Sequence, residues 1–147
     1  MTEVALAPRL QEIVDDFAAT EGHERLQLLL EFSQELPDLP DRYAADPGLL
    51  EPVPECQSPV FLTVEVGEDD IVHLFFSAPP EAPTTRGFAS ILYAGLDGMS
   101  ADEVLATPAE FTGQLGLQDL VSPLRMRGIA AMLARIKRQV RVKRAGS

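Results

Sequence analysis

The chain has 147 residues, 46% of them apolar, and a formal net charge of −11. That length suits one domain with a sizeable core, and no stretch approaches the ~20 apolar residues of a membrane span. One cysteine, Cys56, and two histidines, His23 and His73, leave no internal disulfide and too few ligands for an ordinary zinc or iron–sulfur site, so no metal and a reducing, cytoplasmic setting are expected.

The charge is unevenly placed. Residues 1–119 hold 4 basic and 23 acidic side chains, whereas residues 120–147 hold 8 basic and none acidic. A body this acidic repels nucleic acid. The basic residues at the end are interleaved with helical apolar positions, so they read as a solvated helix face running into a frayed tail at 141–147. The opening MTEVALAPRL is too short of apolar length for a secretory signal.

Taken in order, Pro8 suits a first helical turn, and Leu10, Ile13, Val14 and Phe17 make one apolar face. Thr20-Glu21-Gly22 breaks that pattern. A second helix is expected from about His23 to Leu36, with Leu26, Leu29, Leu30 and Leu36 inward and Pro37 and Pro40 stopping it. His23, among charges at the helix start, reads as a surface residue. Residues 37–55 hold five prolines and read as an ordered loop, with a short edge strand at Leu49–Pro52. Val60–Val66 then alternates as a strand, Gly67-Glu68-Asp69-Asp70 turns, and Ile71–Phe76 returns, with His73 in a core or cross-strand position.

A second proline-rich loop, Ala78–Thr85, leads into a helix opened by Arg86-Gly87-Phe88. Phe88, Ile91, Leu92, Gly95 and Leu96 share its inner face, and Gly98 ends it. Ser100–Glu103 and Thr107–Glu110 both read as capping boxes for short helices. Phe111 and Leu115 point inward. Ser122-Pro123 caps the last helix, whose stripe is Ile129, Met132, Leu133, Ile136 and Val140. The order of helices, short antiparallel sheet, then helices is an α+β fold with helices packed on one sheet face. The other face is left exposed or covered by the long loops.

Cys56 is expected at the end of a loop where a strand begins, between Pro54 and Pro59, whose missing amide donors stiffen the approach. Loops on a rigid scaffold carry reactive groups. The alternative is an inert buried thiol, the common state of free cysteine, although Glu55, Gln57 and Ser58 do not read as core.

Four motifs in sequence carry a resemblance to the SufE family, over about Leu10–Val140 of a single domain. They are Leu36-Pro37-Asp38-Leu39, Val53-Pro54-Glu55-Cys56-Gln57-Ser58, Arg86-Gly87-Phe88, and Leu115-Gly116-Leu117 followed by Leu120–Met132. Three positions depart from the family pattern. Glu55 stands where glycine is usual before the cysteine, Pro80-Glu81-Ala82 replaces a Ser-Asp-Ala step, and Leu124-Arg125 replaces Ser-Arg. These bear on loop mobility and partner choice.

The resemblance implies a SufE/NifU-like fold. It implies a sulfur acceptor that takes persulfide sulfur onto Cys56 from a SufS-like, pyridoxal-phosphate-dependent cysteine desulfurase. It further implies that the protein stimulates that partner and passes sulfur to an iron–sulfur scaffold, in the cytoplasm, without nucleic acid, membrane or bound cofactor of its own. Such a carrier is not itself a turnover enzyme. Thiolate attack on a sulfane sulfur resembles disulfide exchange. Glu55 raises the thiol pKa, and Arg86 or Arg125 are the candidate cations against it. Glu55, Gln57, Ser58, Arg86 and Arg125 are the candidate supporting and partner-binding residues. Val60, Phe61 and Phe88 are candidates to shelter the persulfide. A cysteine-nucleophile enzyme, which would want a base near Cys56, and a non-catalytic adaptor remain as alternatives. A cluster scaffold would need about three thiolate ligands.

Overall fold

The computed structural model describes residues 6–145. The first five residues, part of the segment expected not to be a secretory signal, and the last two residues of the tail lie outside that range.

Two amphipathic helices come first, α1 (Pro8–Ala18) and α2 (His23–Ser33). Pro8 opens α1, and Leu10, Ile13, Val14 and Phe17 are buried as the spacing requires. Helix α2 ends at Ser33, three residues short of the expected Leu36, and its buried side chains are Leu29, Phe32 and Ser33. The loop that follows is ordered, with a short helix α3 (Asp41–Ala44) and a 3₁₀ turn at Pro47–Leu49.

The sheet has three antiparallel strands in sequence order: β1 (Glu51–Pro52), β2 (Phe61–Val66) and β3 (Val72–Ser77). Glu51 pairs with Leu62, and Leu62 with Phe76. The β2–β3 turn closes through Gly67 N–H to Ile71 O at 3.0 Å, with Asp70 at positive φ. Leu62, Val64, Val72, Leu74 and Phe76 are buried on one face, against α4 (Pro83–Leu96) and α6 (Pro123–Ala145). Helix α4 starts at Pro83, earlier than Arg86, because proline seeds the first turn. Helices α1 and α2 cover its far side. A β-carbon at Gly87 would lie 2.6 Å from the Leu29 carbonyl oxygen, so the α2–α4 approach requires glycine.

The second sheet face is partly covered by the proline-rich loop. Tyr43 packs on Phe75 at 4.9 Å between ring centroids, and Tyr43 and Arg42 both bind Glu65. His73 is half exposed on this face, 3.7 Å from Asp97, and is no core residue. Helix α5 (Ala101–Ala106) has the expected Ser100–Glu103 capping box. The second expected box is absent. Thr107 instead donates its hydroxyl to Glu103 O at 3.0 Å, and Pro108 starts a 3₁₀ stretch at Ala109–Leu115.

Helix α6 organises the rest. Ile129, Met132, Leu133, Ile136 and Val140 are essentially fully buried, each contributing roughly 1.5–3 kcal/mol. Of the basic tail expected to fray at 141–147, residues 141–145 continue helix α6. Lys143 donates to Val64 O, and Arg144 reaches Asp70 and Asp102, both at 2.8 Å. Gln139 accepts the Val64 N–H at 2.9 Å, just where β1 stops covering β2. The basic face is therefore not merely solvated: Arg135, Arg138 and Arg144 pair with acids of the sheet, the loops and α5.

Candidate functional site

Cys56 lies inside the β1–β2 hairpin loop, not at the mouth of a strand. The ladder closes with Val53 N–H donating to Val60 O at 2.9 Å, and residues 54–59 project beyond it. Pro54–Cys56 form one 3₁₀ turn, in which Cys56 N–H donates to Val53 O at 3.1 Å. Pro54 suits the first position of that turn. Gln57 follows in the left-handed region, at φ 59, which a residue with a β-carbon rarely adopts. That reversal turns the Cys56 side chain back toward the body. Gln57 is exposed, and Ser58 is half-buried, its carbonyl accepting Val60 N–H at 2.7 Å.

The thiol is seated against α6. Cys56 is only 3% exposed, and its Sγ–H donates weakly to Gly128 O at 3.7 Å. A β-carbon at Gly128 would lie 3.2 Å from Sγ and 3.4 Å from the Cys56 Cα, so a glycine makes this seat. Val60 and Phe88 share the core with Cys56, while Phe61 is partly exposed. Burial, helped by Glu55 and opposed by Arg135, pushes the thiol up to about 11. A resting thiol held this way is a poor nucleophile near neutral pH.

The candidate cations fall elsewhere. Arg86 donates to three backbone carbonyls, Ser33 O at 2.8 Å, Ala78 O at 2.6 Å and Leu36 O at 3.3 Å. It clamps the end of α2 to the second proline-rich loop. Arg125 is exposed in the first turn of α6, its backbone N–H donating to the capping Ser122 hydroxyl at 3.3 Å. The cation that acts on the thiol is Arg135, whose Nη2 lies 2.9 Å from Glu55 Oε1. Hydrogen bonds from its own backbone and from Arg135 hold the Glu55 carboxyl below the usual range. Sequence reasoning placed neither Gly128 nor Arg135 in the site. A glycine inside a long helix signals close approach, and an unexpected acid beside the thiol signals a compensating base.

Among the described residues, no three of His, Cys, Asp and Glu gather as metal ligands, and no helix is long and apolar enough to cross a membrane. Both histidines are exposed, and His73 faces Asp97. The arrangement is an α+β domain that presents one thiol on a hairpin loop and holds it, protonated, on a helix.

Residues 11–140 match the family described as SufE, an Fe–S metabolism associated domain. A SufE-like protein of Mycobacterium tuberculosis is 57% identical over 96% of this chain and 98% of its own length. A SufE-like protein of Rhizobium meliloti is 30% identical over 87% of this chain and 91% of its own. The solution structure of a hypothetical protein from Thermus thermophilus superposes with a TM-score of 0.82 at 37% identity, covering 96% of this chain and 99% of that one. The chain belongs to the SufE family, and so to iron–sulfur metabolism.

Proposed function

We propose that the protein is a sulfur acceptor that takes sulfane sulfur onto Cys56 from a pyridoxal-phosphate-dependent, SufS-like cysteine desulfurase. The observation that carries this is the placement of the chain's one thiol in the β1–β2 hairpin loop, packed closely on Gly128 of α6. In the transfer, the Cys56 thiolate attacks the outer sulfur of the donor's persulfide. The donor's S–S bond breaks, the donor leaves as a thiolate and takes up the proton Cys56 lost, and Cys56 carries the persulfide. No net oxidation occurs. The persulfide then passes to an iron–sulfur scaffold in the cytoplasm. Pyridoxal phosphate belongs to the donor, and this chain is a carrier and stimulator without turnover of its own.

Only 3% exposed and turned onto the Gly128 carbonyl, with burial favouring its protonated form, the thiol is not presented for attack in its seat. Transfer therefore requires the loop to open, and the donor must bind the open form better than the closed one. The thiol-enzyme reading wants a base on the thiol, and the partner that Cys56 Sγ–H finds is the Gly128 carbonyl. The test is incubation with a cysteine desulfurase and L-cysteine, followed by intact mass. One added sulfur atom on the wild type, and none on Cys56→Ser, is the expected result. Sulfur gained equally by the serine variant would sink the proposal.

A further inference from the structure

Glu51 and Glu55 stand on either side of the bend that leads to Cys56, one in β1 and the other in the 3₁₀ turn. A single guanidinium reaches both. Arg135 Nη2 lies 2.9 Å from Glu55 Oε1, and Nη1 donates to Glu55 Oε2 at 3.2 Å, an ion pair with one aligned hydrogen bond. Its buried Nε lies 3.3 Å from Glu51 Oε2 without the alignment for a hydrogen bond. Glu51 is held in place by Arg138 and by Gln139 Nε2 at 3.0 Å. Arg135 is also on the helix that provides Gly128, two turns further along. The loop is thus gripped by the helix on which its thiol rests.

We propose that Arg135 is a positioning residue for Cys56: by holding Glu55 and Glu51 together it keeps the thiol on its Gly128 seat, and a partner offering a basic side chain to Glu55 releases it. Glu55 is the accessible end of the grip, its side chain 45% exposed against 20% for Arg135. An incoming cation meets the carboxylate first. The use of such a release rests on Cys56 being the sulfur acceptor, but the grip itself can be tested without sulfur or desulfurase.

The sign of one substitution decides between a grip and a mere neighbouring charge. As a charge alone, Arg135 favours the thiolate, so Arg135→Ala should slow alkylation of Cys56 and leave the loop unmoved. As a grip, its loss frees the loop. We expect Arg135→Ala to speed alkylation by iodoacetamide at pH 8, and amide exchange over residues 53–57, roughly two- to fivefold, the upper part of the range for partly exposed ion pairs. Arg135→Lys keeps the charge but cannot span both carboxylates from one ammonium, and should speed both as well. Adding Glu55→Gln to Arg135→Ala should give no further gain in exchange. Slower alkylation with unchanged exchange in both Arg135 variants, at unaltered Tm, would overturn the proposal. That outcome would leave sulfur acceptance by Cys56 intact, since acceptance is read separately by mass.

Discussion

Two arginines fasten two proline-rich segments to the body, and they do it with different chemistry. Arg86 binds three backbone carbonyls, those of Ser33, Leu36 and Ala78. Arg135 binds two carboxylates, Glu55 and Glu51. Carbonyls carry no net charge and belong to backbone already fixed by helix and loop, so no incoming charge can take them from Arg86. A carboxylate at the surface can change partners. The difference separates a permanent fastening from a releasable one, and the releasable one sits next to the thiol.

The largest effect should come from breaking the permanent fastening. Arg86→Ala is expected to lower stability by about 3 kcal/mol, as charged hydrogen bonds are lost and carbonyls are left unmatched. Alkylation of Cys56 by iodoacetamide should hardly change while the variant is folded. Denaturant unfolding and alkylation kinetics measure the two sides. A stable variant with a reactive thiol would put Arg86, after all, in the loop's control.

The seat itself makes a pH prediction. The Cys56 thiol has its pKa raised in the folded state to about 11 from an ordinary 9.0. A raised acid pKa means that the unfolded chain loses its proton first. Stability is therefore unaffected below about pH 9, falls as pH rises, and levels off above about 11, a loss on the order of 2–3 kcal/mol. Cys56→Ser should lack that fall. The measurement is Tm against pH for both proteins, and parallel curves would mean that the thiol ionises in place without opening its loop.

Gly128→Ala sharpens the comparison from the helix side. Alanine gains helix propensity of about 1 kcal/mol over glycine, which offsets part of the crowding against Sγ at 3.2 Å. Stability should stay nearly level while alkylation of the displaced thiol rises on the order of tenfold. An unmoved alkylation rate would show that the seat yields without releasing Cys56.

The smallest effect concerns Gln57. Glycine at φ 59 relieves the left-handed strain but adds freedom to the unfolded chain, two terms of about 1 kcal/mol that oppose each other. Gln57→Gly should shift unfolding by less than about 0.5 kcal/mol. A clear gain in stability, measured by denaturant titration, would show that the bend beside the thiol stores more strain than one residue's backbone preference.

The sequence by itself determined the periodic elements and the chemistry-bearing thiol. Apolar spacing named the buried faces of α1, α4 and α6, because helical period is local and burial follows it. Prolines and the Gly67–Asp70 turn marked the loops for the same reason. The short motifs around Cys56, Gly87 and Gly128 carried the family resemblance. Tertiary structure decided what those residues face. The basic end reads as a frayed, solvated tail in one dimension, because its partners Glu51, Glu55, Asp70 and Asp102 lie far away along the chain. Folding brings them to α6 and turns the tail into the sheet's fastening. Arg86 and Arg125 were reasonable cations for the thiol by motif, yet one is engaged by carbonyls and the other stands exposed. Arg135 took that role because hairpin and helix meet there. Charge acts through space over a few ångströms, and sequence separation does not report that distance.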